Sequence, residues 1–173
     1  MTKILAIPGS LRPNSSSNHI LNELVSFVPS NATIEIYRGI GSLPHFNDAE
    51  EPSASVVDFR DRVREADVVL ICTPEYAFGI PGSLKNAIDW TVSSAEFYNK
   101  PVGLVKAATH AEKGHAAMML VLTAINAMII EDASILISYV RSKLDSAGKI
   151  KDEGLSKALK KVVENLILAA ADK

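Results

Sequence analysis

Asp67-Val68-Val69-Leu70-Ile71-Cys72-Thr73-Pro74 decides the fold. Val68 to Cys72 is apolar without a break, so a strand formed here hides both of its faces, as interior parallel strands do. Pro74 ends the run. Helical patterns stand on either side of it. Ser53–Ala66 carries Val56, Val57, Phe59 and Val63 on or near one face, and Pro81–Val92 opens with a proline suited to a first helical turn. Further out, Lys3–Ile7 is a short apolar run stopped by Pro8-Gly9. Asn18–Val28 repeats apolar residues at helical spacing, and Thr33–Tyr37 is β-branched and alternating. Arg38–Pro52 is rich in Gly, Pro, Asn and acids and reads as a loop. Towards the C-terminus come a strand at Pro101–Ala107, an apolar helix at Gly114–Ile130, a fifth strand at Ser134–Tyr139 and a closing helix at Asp152–Ala170.

Strands and helices thus alternate along the chain, which predicts a parallel sheet covered by helices on both sides, an α/β three-layer sandwich. Ligands of such sheets bind beyond the carboxyl ends of the strands, near the point where strand order reverses. The loops after the first, third and fourth strands are therefore where a site is expected.

Length and composition narrow the classes. The 173 residues, 47% hydrophobic and 22% charged, suit one globular domain spanning residues 1–173. With 18 basic and 20 acidic residues the net charge is -2, which offers no electrostatic basis for a nucleic-acid or membrane-surface partner. The apolar stretch Ala116–Ile130 is shorter than the ~20 residues of a membrane-spanning helix. Cys72 is the single cysteine, so no intrachain disulfide forms, and a cytoplasmic home is expected.

The loop after the first strand reads Gly9-Ser10-Leu11-Arg12-Pro13-Asn14-Ser15-Ser16-Ser17-Asn18. Gly9 permits a tight turn. Ser10, Ser15, Ser16 and Ser17 offer hydroxyl donors, and Arg12 offers a permanent planar cation. Ser17 or Asn18 is expected to cap the helix whose free N–H groups face the same place. The loop lacks both the Walker A pattern and Gly-x-Gly-x-x-Gly. Hydroxyls with one arginine suit a single terminal phosphate.

The loop after the third strand reads Thr73-Pro74-Glu75-Tyr76-Ala77-Phe78-Gly79-Ile80-Pro81-Gly82-Ser83-Leu84-Lys85-Asn86-Ala87-Ile88-Asp89-Trp90. Its N–H groups can hydrogen-bond the carbonyls of a flat heteroaromatic ring, and Tyr76 and Phe78 can flank that ring. Together with Gly9-Ser10-Leu11-Arg12, this segment resembles the NADPH-dependent FMN reductase family, which includes quinone, chromate and azo-dye reductases. Leu43–Glu50 and Asp145–Glu153 agree as well, so the similarity covers nearly the whole chain.

The resemblance implies a flavodoxin-like fold with a five-stranded parallel sheet in the order 2-1-3-4-5, and FMN as bound cofactor. Ser10, Arg12, Ser17 and Asn18 would hold the phosphate. Pro74, Glu75, Tyr76 and Ala77, with Phe78 and Gly79 nearby, would meet the isoalloxazine ring. Hydride would pass from NADPH or NADH to the flavin, and on to FMN, a quinone or another acceptor. A homodimer or homotetramer is implied, with the apolar helix near Ala116–Ile130 as its interface. The alternative is an FMN-binding electron carrier that does not oxidise a nicotinamide.

Three features depart from the family pattern. The first loop has one extra residue between Arg12 and Asn18. Position 77 is Ala where Asn is usual. The loop after the fourth strand is poor in glycine, and Thr109 and His110 are expected to make the contacts there. No metal site is expected, since His110, Glu112 and His115 do not follow a zinc spacing. Cys72 reads as a buried hydrophobe, and Lys85, Asp89 and Trp90 as packing and surface pairing. The redox chemistry belongs to the flavin, so no catalytic acid or base is named.

Overall fold

A computed structural model describes residues 1–109 and 112–171. In chain order the elements are β1 (Thr2–Pro8), α1 (Ser16–Ser26), β2 (Ala32–Ile36), α2 (Ala54–Glu65), β3 (Val68–Thr73), α3 (Gly82–Asp89), β4 (Pro101–Ala108), α4 (Glu112–Ala124), β5 (Met128–Ile129), β6 (Ile135–Ser138) and α5 (Glu153–Ala171). All strand pairs are parallel, and the sheet runs β2-β1-β3-β4-β5, with β6 also paired to β4. This is the expected 2-1-3-4-5 order and the flavodoxin-like arrangement.

Alternation along the central strands sorts their side chains onto two faces. Leu5, Ile7, Val69, Ile71, Val102 and Leu104 meet Val56, Phe59 and Val63 of α2, Leu84 and Ile88 of α3, and Met118 and Leu122 of α4. Ile4, Ala6, Val68, Leu70, Cys72 and Val105 meet Ile20, Leu21 and Leu24 of α1 and Leu159, Val162 and Leu166 of α5. Every residue of β3 is buried, as its unbroken apolar run predicts.

The fifth strand position differs from expectation. It is filled by two short pieces, β5 beside the start of β4 and β6 beside its end. A turn at Glu131–Ala133 separates them. Gly103 lies opposite the break, where a Cβ would stand 2.9 Å from the Ala133 carbonyl. Ser134 bridges the gap: its Oγ accepts the Leu104 N–H at 3.2 Å and donates to the Ile130 carbonyl at 2.8 Å.

The apolar helix expected over Gly114–Ile130 stops at Ala124. Asn126 takes a left-handed conformation, φ 54°. The Ala127 N–H donates to the Leu122 carbonyl and the Asn126 N–H to that of Thr123, both at 3.0 Å. These are the two bonds of a Schellman cap, with Asn in the position usually held by Gly. The apolar residues beyond it form β5. The α3 helix is also shorter than expected, and Pro81 stands at its N-cap rather than within its first turn. The Thr91 hydroxyl donates to the Ile88 carbonyl at 2.7 Å, competing with helix continuation.

Candidate functional site

The carboxyl ends of β1, β3 and β4 open into a polar cavity of about 470 Å³. The α1 side of its wall comes from Arg12, Ser15, Ser16, Ser17 and His19. Pro74, Glu75 and Tyr76 follow from the loop after β3, and Ala107, Ala108 and Thr109 from the end of β4. Arg141, Asp145 and Gly148 close the far side.

Gly9 is required by approach rather than by turning. A Cβ there would stand 2.1 Å from Thr73 Oγ1, so only glycine lets the first loop cross the end of β3. Ser15, not Ser17 or Asn18, caps α1: its Oγ accepts the Asn18 N–H at 3.2 Å. The N–H groups of Ser16 and Ser17 have no partner among the described residues and stand at the positive end of the helix. Asn18 turns its amide back onto the loop, donating to the Arg12 carbonyl at 2.7 Å and the Pro13 carbonyl at 3.3 Å. It shapes the loop and does not line the cavity. Ser10 is also outside the lining; its Oγ accepts the Arg12 N–H and lies 3.3 Å from Tyr76 Oη, linking the two loops.

Ser17 is the outlier. It is 1% exposed, lines the cavity, and its Oγ has no hydrogen-bond partner among the described residues. A buried hydroxyl without a partner is costly, by about 1–3 kcal/mol. Its own carbonyl accepts the Cys72 thiol at 3.2 Å. That thiol lies in the β3 core, where burial pushes it up to about 12, so Cys72 is a buried hydrophobe and not a nucleophile.

The loop after β3 makes a sharp reversal. The Tyr76 N–H donates to the Gly79 carbonyl at 3.2 Å and the Gly79 N–H to the Tyr76 carbonyl at 2.9 Å. Ala77 (φ 48°) and Phe78 (φ 60°) are both left-handed, which makes this a two-residue type I′ turn built without glycine at either centre. The N–H groups of Glu75, Ala77 and Phe78 have no partner among the described residues. Tyr76 faces the cavity, whereas Ala77, Phe78 and Gly79 fall outside its lining. Phe78 is 67% exposed, with the Lys113 ammonium 4.3 Å from its ring centre. The Glu75 carboxylate turns to α4 and accepts the Gly114 N–H at 2.7 Å, an N-terminal cap supplied from another loop.

Behind this loop lies a residue that the sequence reading passed over. Lys106 of β4 is fully buried, and its Nζ donates to the Pro74 carbonyl at 2.9 Å. Burial lowers its pKa to about 8, against the opposing pull of Glu75. His19 and Arg141 were likewise not anticipated. Thr109 lines the cavity; His110 lies outside the described residues.

The downstream part of the motif acts as a brace. Asn86 Oδ1 accepts the Phe46 N–H at 2.8 Å, and the Asn86 amide and the Trp90 indole both donate to the Pro44 carbonyl, at 3.0 and 2.8 Å. Phe46 stands edge-on to Trp90 at 5.2 Å. The Lys85–Asp89 pair forms on the outer face of the same helix, as its spacing predicts.

A parallel sheet in this order, with a cavity of hydroxyls, arginines and a helix N-terminus at its carboxyl ends, defines a flavodoxin-like nucleotide-binding protein. Within that class the chain belongs to the NADPH-dependent FMN reductase family, whose model matches residues 2–141. It is a flavin-dependent oxidoreductase with FMN as cofactor and a nicotinamide nucleotide as electron donor. It is 30% identical to an NAD(P)H-dependent FMN reductase of Pseudomonas aeruginosa over 96% of this chain and 94% of that one. It is 27% identical to a quinone reductase of Escherichia coli, over 88% of this chain and 86% of the other. Among solved structures it resembles the flavoenzyme NAD(P)H:(acceptor) oxidoreductase FerB of Paracoccus denitrificans, with TM-score 0.80, 24% identity and 99% and 98% of the two chains covered. Among the described residues no helix is long and apolar enough to cross a membrane.

Proposed function

We propose that the cavity at the carboxyl ends of β1, β3 and β4 holds FMN, and that the protein transfers electrons there from NADPH or NADH to a quinone, free FMN or another small acceptor. The observation that carries this is Ser17, whose buried hydroxyl has no partner among the described residues and lies in a wall shared with Arg12. A terminal phosphate completes that hydrogen bond and meets the guanidinium. The free N–H groups of Ser16 and Ser17 suit the same anion. Ser15 and Ser16 supply further hydroxyls from the same wall, while Ser10 and Asn18 hold the loop in shape. The cavity volume, about 470 Å³, is within the ~300–1,000 Å³ of small-molecule sites.

When bound, FMN supplies the redox chemistry as a two-electron carrier between donor and acceptor. The chain positions it. From this loop Pro74, Glu75 and Tyr76 line the site; the Glu75 N–H, without a partner among the described residues, faces the polar edge of the ring in this reading, and Tyr76 forms an aromatic wall whose hydroxyl ties the loop to Ser10. Thr109 bounds the site from the end of β4. We take residues 1–173 as one FMN-binding domain.

In the same reading the protein is a cytoplasmic homodimer or homotetramer. Support for assembly comes from exposed apolar side chains near the site and on α4, with Phe78 67% and Leu120 73% exposed. Light scattering on the purified protein measures subunit number, and fractionation of the native cells measures location.

The central test is anaerobic titration of purified protein, reconstituted with FMN, against NADPH and NADH. Bleaching of the flavin bands, followed by steady turnover with a quinone, is the expected result. Tight FMN binding without reduction by either nucleotide would leave an electron carrier, and failure to bind FMN would refute the site.

A further inference from the structure

Strand β4 runs through the middle of the molecule and carries one cation inside it. Lys106 is 0% exposed, on the same face as Val102 and Leu104. No described carboxylate forms an ion pair with it. Its surroundings are built to hold it. A Cβ on Gly114 of α4 would stand 2.5 Å from its Nζ and 2.8 Å from the Gly79 carbonyl, so a bare backbone at Gly114 leaves the lysine its room. Glu75, the acid that acts on it, is occupied by the Gly114 N–H. Burial and the Lys106 charge together lower the His115 pKa, which keeps that neighbour neutral.

The ammonium reaches the cavity through one peptide group. It bonds the Pro74 carbonyl, and the N–H of that same peptide belongs to Glu75 and has no described partner. A charge-assisted bond to a carbonyl polarises the peptide and strengthens its N–H as a donor. Pro74, Glu75 and Tyr76 all line the cavity. A buried cation without an ion-pair partner is expensive to keep, and a mere brace for Pro74 needs no charge.

We propose that Lys106 is a positioning residue that imposes a buried positive charge, through the Pro74–Glu75 peptide, on the flavin side of this loop, so that the electron-rich reduced flavin is held more tightly than the oxidised one. The inference rests on the placement of FMN argued above.

The test compares FMN-loaded wild type, Lys106→Gln and Lys106→Met by equilibration with a redox dye, alongside the affinity of each for oxidised FMN. Glutamine keeps a donor for the Pro74 carbonyl but no charge. In K106Q the ratio of reduced to oxidised affinity is expected to fall about tenfold, equal to about 30 mV in the potential of a two-electron couple. Oxidised FMN should still bind K106Q within about threefold of wild type. K106M should show the same fall in the ratio and weaker binding of both forms. An unchanged ratio in K106Q overturns the proposal, because the lysine then serves only as a brace. Failure of both variants to fold overturns it too. A wild-type protein that does not take up FMN refutes the underlying site reading, and is recognised before any variant is made.

Discussion

Replacing Ala77 by Asn should stabilise the protein, and the reason lies in its backbone. Ala77 sits at φ 48° and Phe78 at φ 60°, so the turn between Tyr76 and Gly79 is type I′. An L-residue with a Cβ pays about 1–2 kcal/mol in this region, whereas Asn visits it readily because its short side chain bonds locally. Ala77 is exposed, so its methyl contributes no packing that the change would forfeit. The gain expected from A77N is therefore about 1 kcal/mol, or a Tm higher by about 2–4 °C for a chain of this size. Glycine relieves the same strain but loosens the unfolded chain by about 0.4–1 kcal/mol, so A77G should gain less. Valine, β-branched, should lose stability. The assay is thermal and urea unfolding of all four proteins, at saturating FMN and after its removal. Strain relief appears in both conditions; a new flavin contact by the Asn amide appears only with FMN present. If A77N and A77G both melt at or below wild type without FMN, the turn is not left-handed in solution and the argument fails.

Three other outcomes are expected. Arg12→Ala should weaken FMN binding about 10- to 100-fold by loss of a charge-assisted bond, and Ser17→Ala about fivefold. S17A should leave the FMN-free Tm unchanged or raised, since its hydroxyl has no partner among the described residues; fluorescence titration and calorimetry read the two effects. Stability should depend on Lys106 at alkaline pH: the unfolded lysine keeps its proton to 10.5, the folded one only to about 8, so between these values the unfolded state binds more protons and stability rises with pH. Urea midpoints from pH 7 to 10 should show this rise in wild type and not in K106M; above pH 10 the buried Tyr37 hydroxyl, raised to about 12, opposes it. Finally, Cys72 should ignore a thiol reagent in the native state and react once unfolded; rapid native labelling would contradict its burial and raised pKa.

Much of the architecture was legible because the central strands advertise themselves. The unbroken run Val68–Cys72 requires two covered faces, and the loops after β1 and β3 carry local patterns dense enough to name. The missed features have two causes: local signals that admit more than one reading, and partners distant in sequence. Ala116–Ile130 is apolar throughout, and periodicity does not separate a helix from a following strand when both are buried; Asn126 was the one local signal of the break. Three serines in a row hid which of them caps α1. Lys106 stood visibly inside an apolar strand, but its meaning depends on the Pro74 carbonyl, 32 residues earlier. Arg141 belongs to the wall after β6, and His19 packs where a Cβ on Gly148 would stand 2.2 Å from its ring. Neither belongs to a motif.

The positions where this chain breaks local rules concentrate where its function is placed. Asp48, Asn99 and Asn126 are left-handed but belong to types that tolerate it, and Asn126 serves the cap of α4. Ala77, Phe78 and Tyr139 do not belong to such types, and they stand beyond the carboxyl ends of β3 and β6. Ala95, in the segment after α3, is the exception. Among the described residues the buried side-chain atoms without partners, Ser17 Oγ and His115 Nδ1, lie at the starts of α1 and α4, and Lys106 lies between the sheet and α4. Local cost retained at one end of an otherwise well-satisfied sheet needs a compensating interaction. A bound anion would compensate Ser17 but not the turn at Ala77. FMN has both a phosphate for the first loop and a flat polar ring for the second. On the reading proposed above, one ligand of that length would meet both loops, which no lone anion would do.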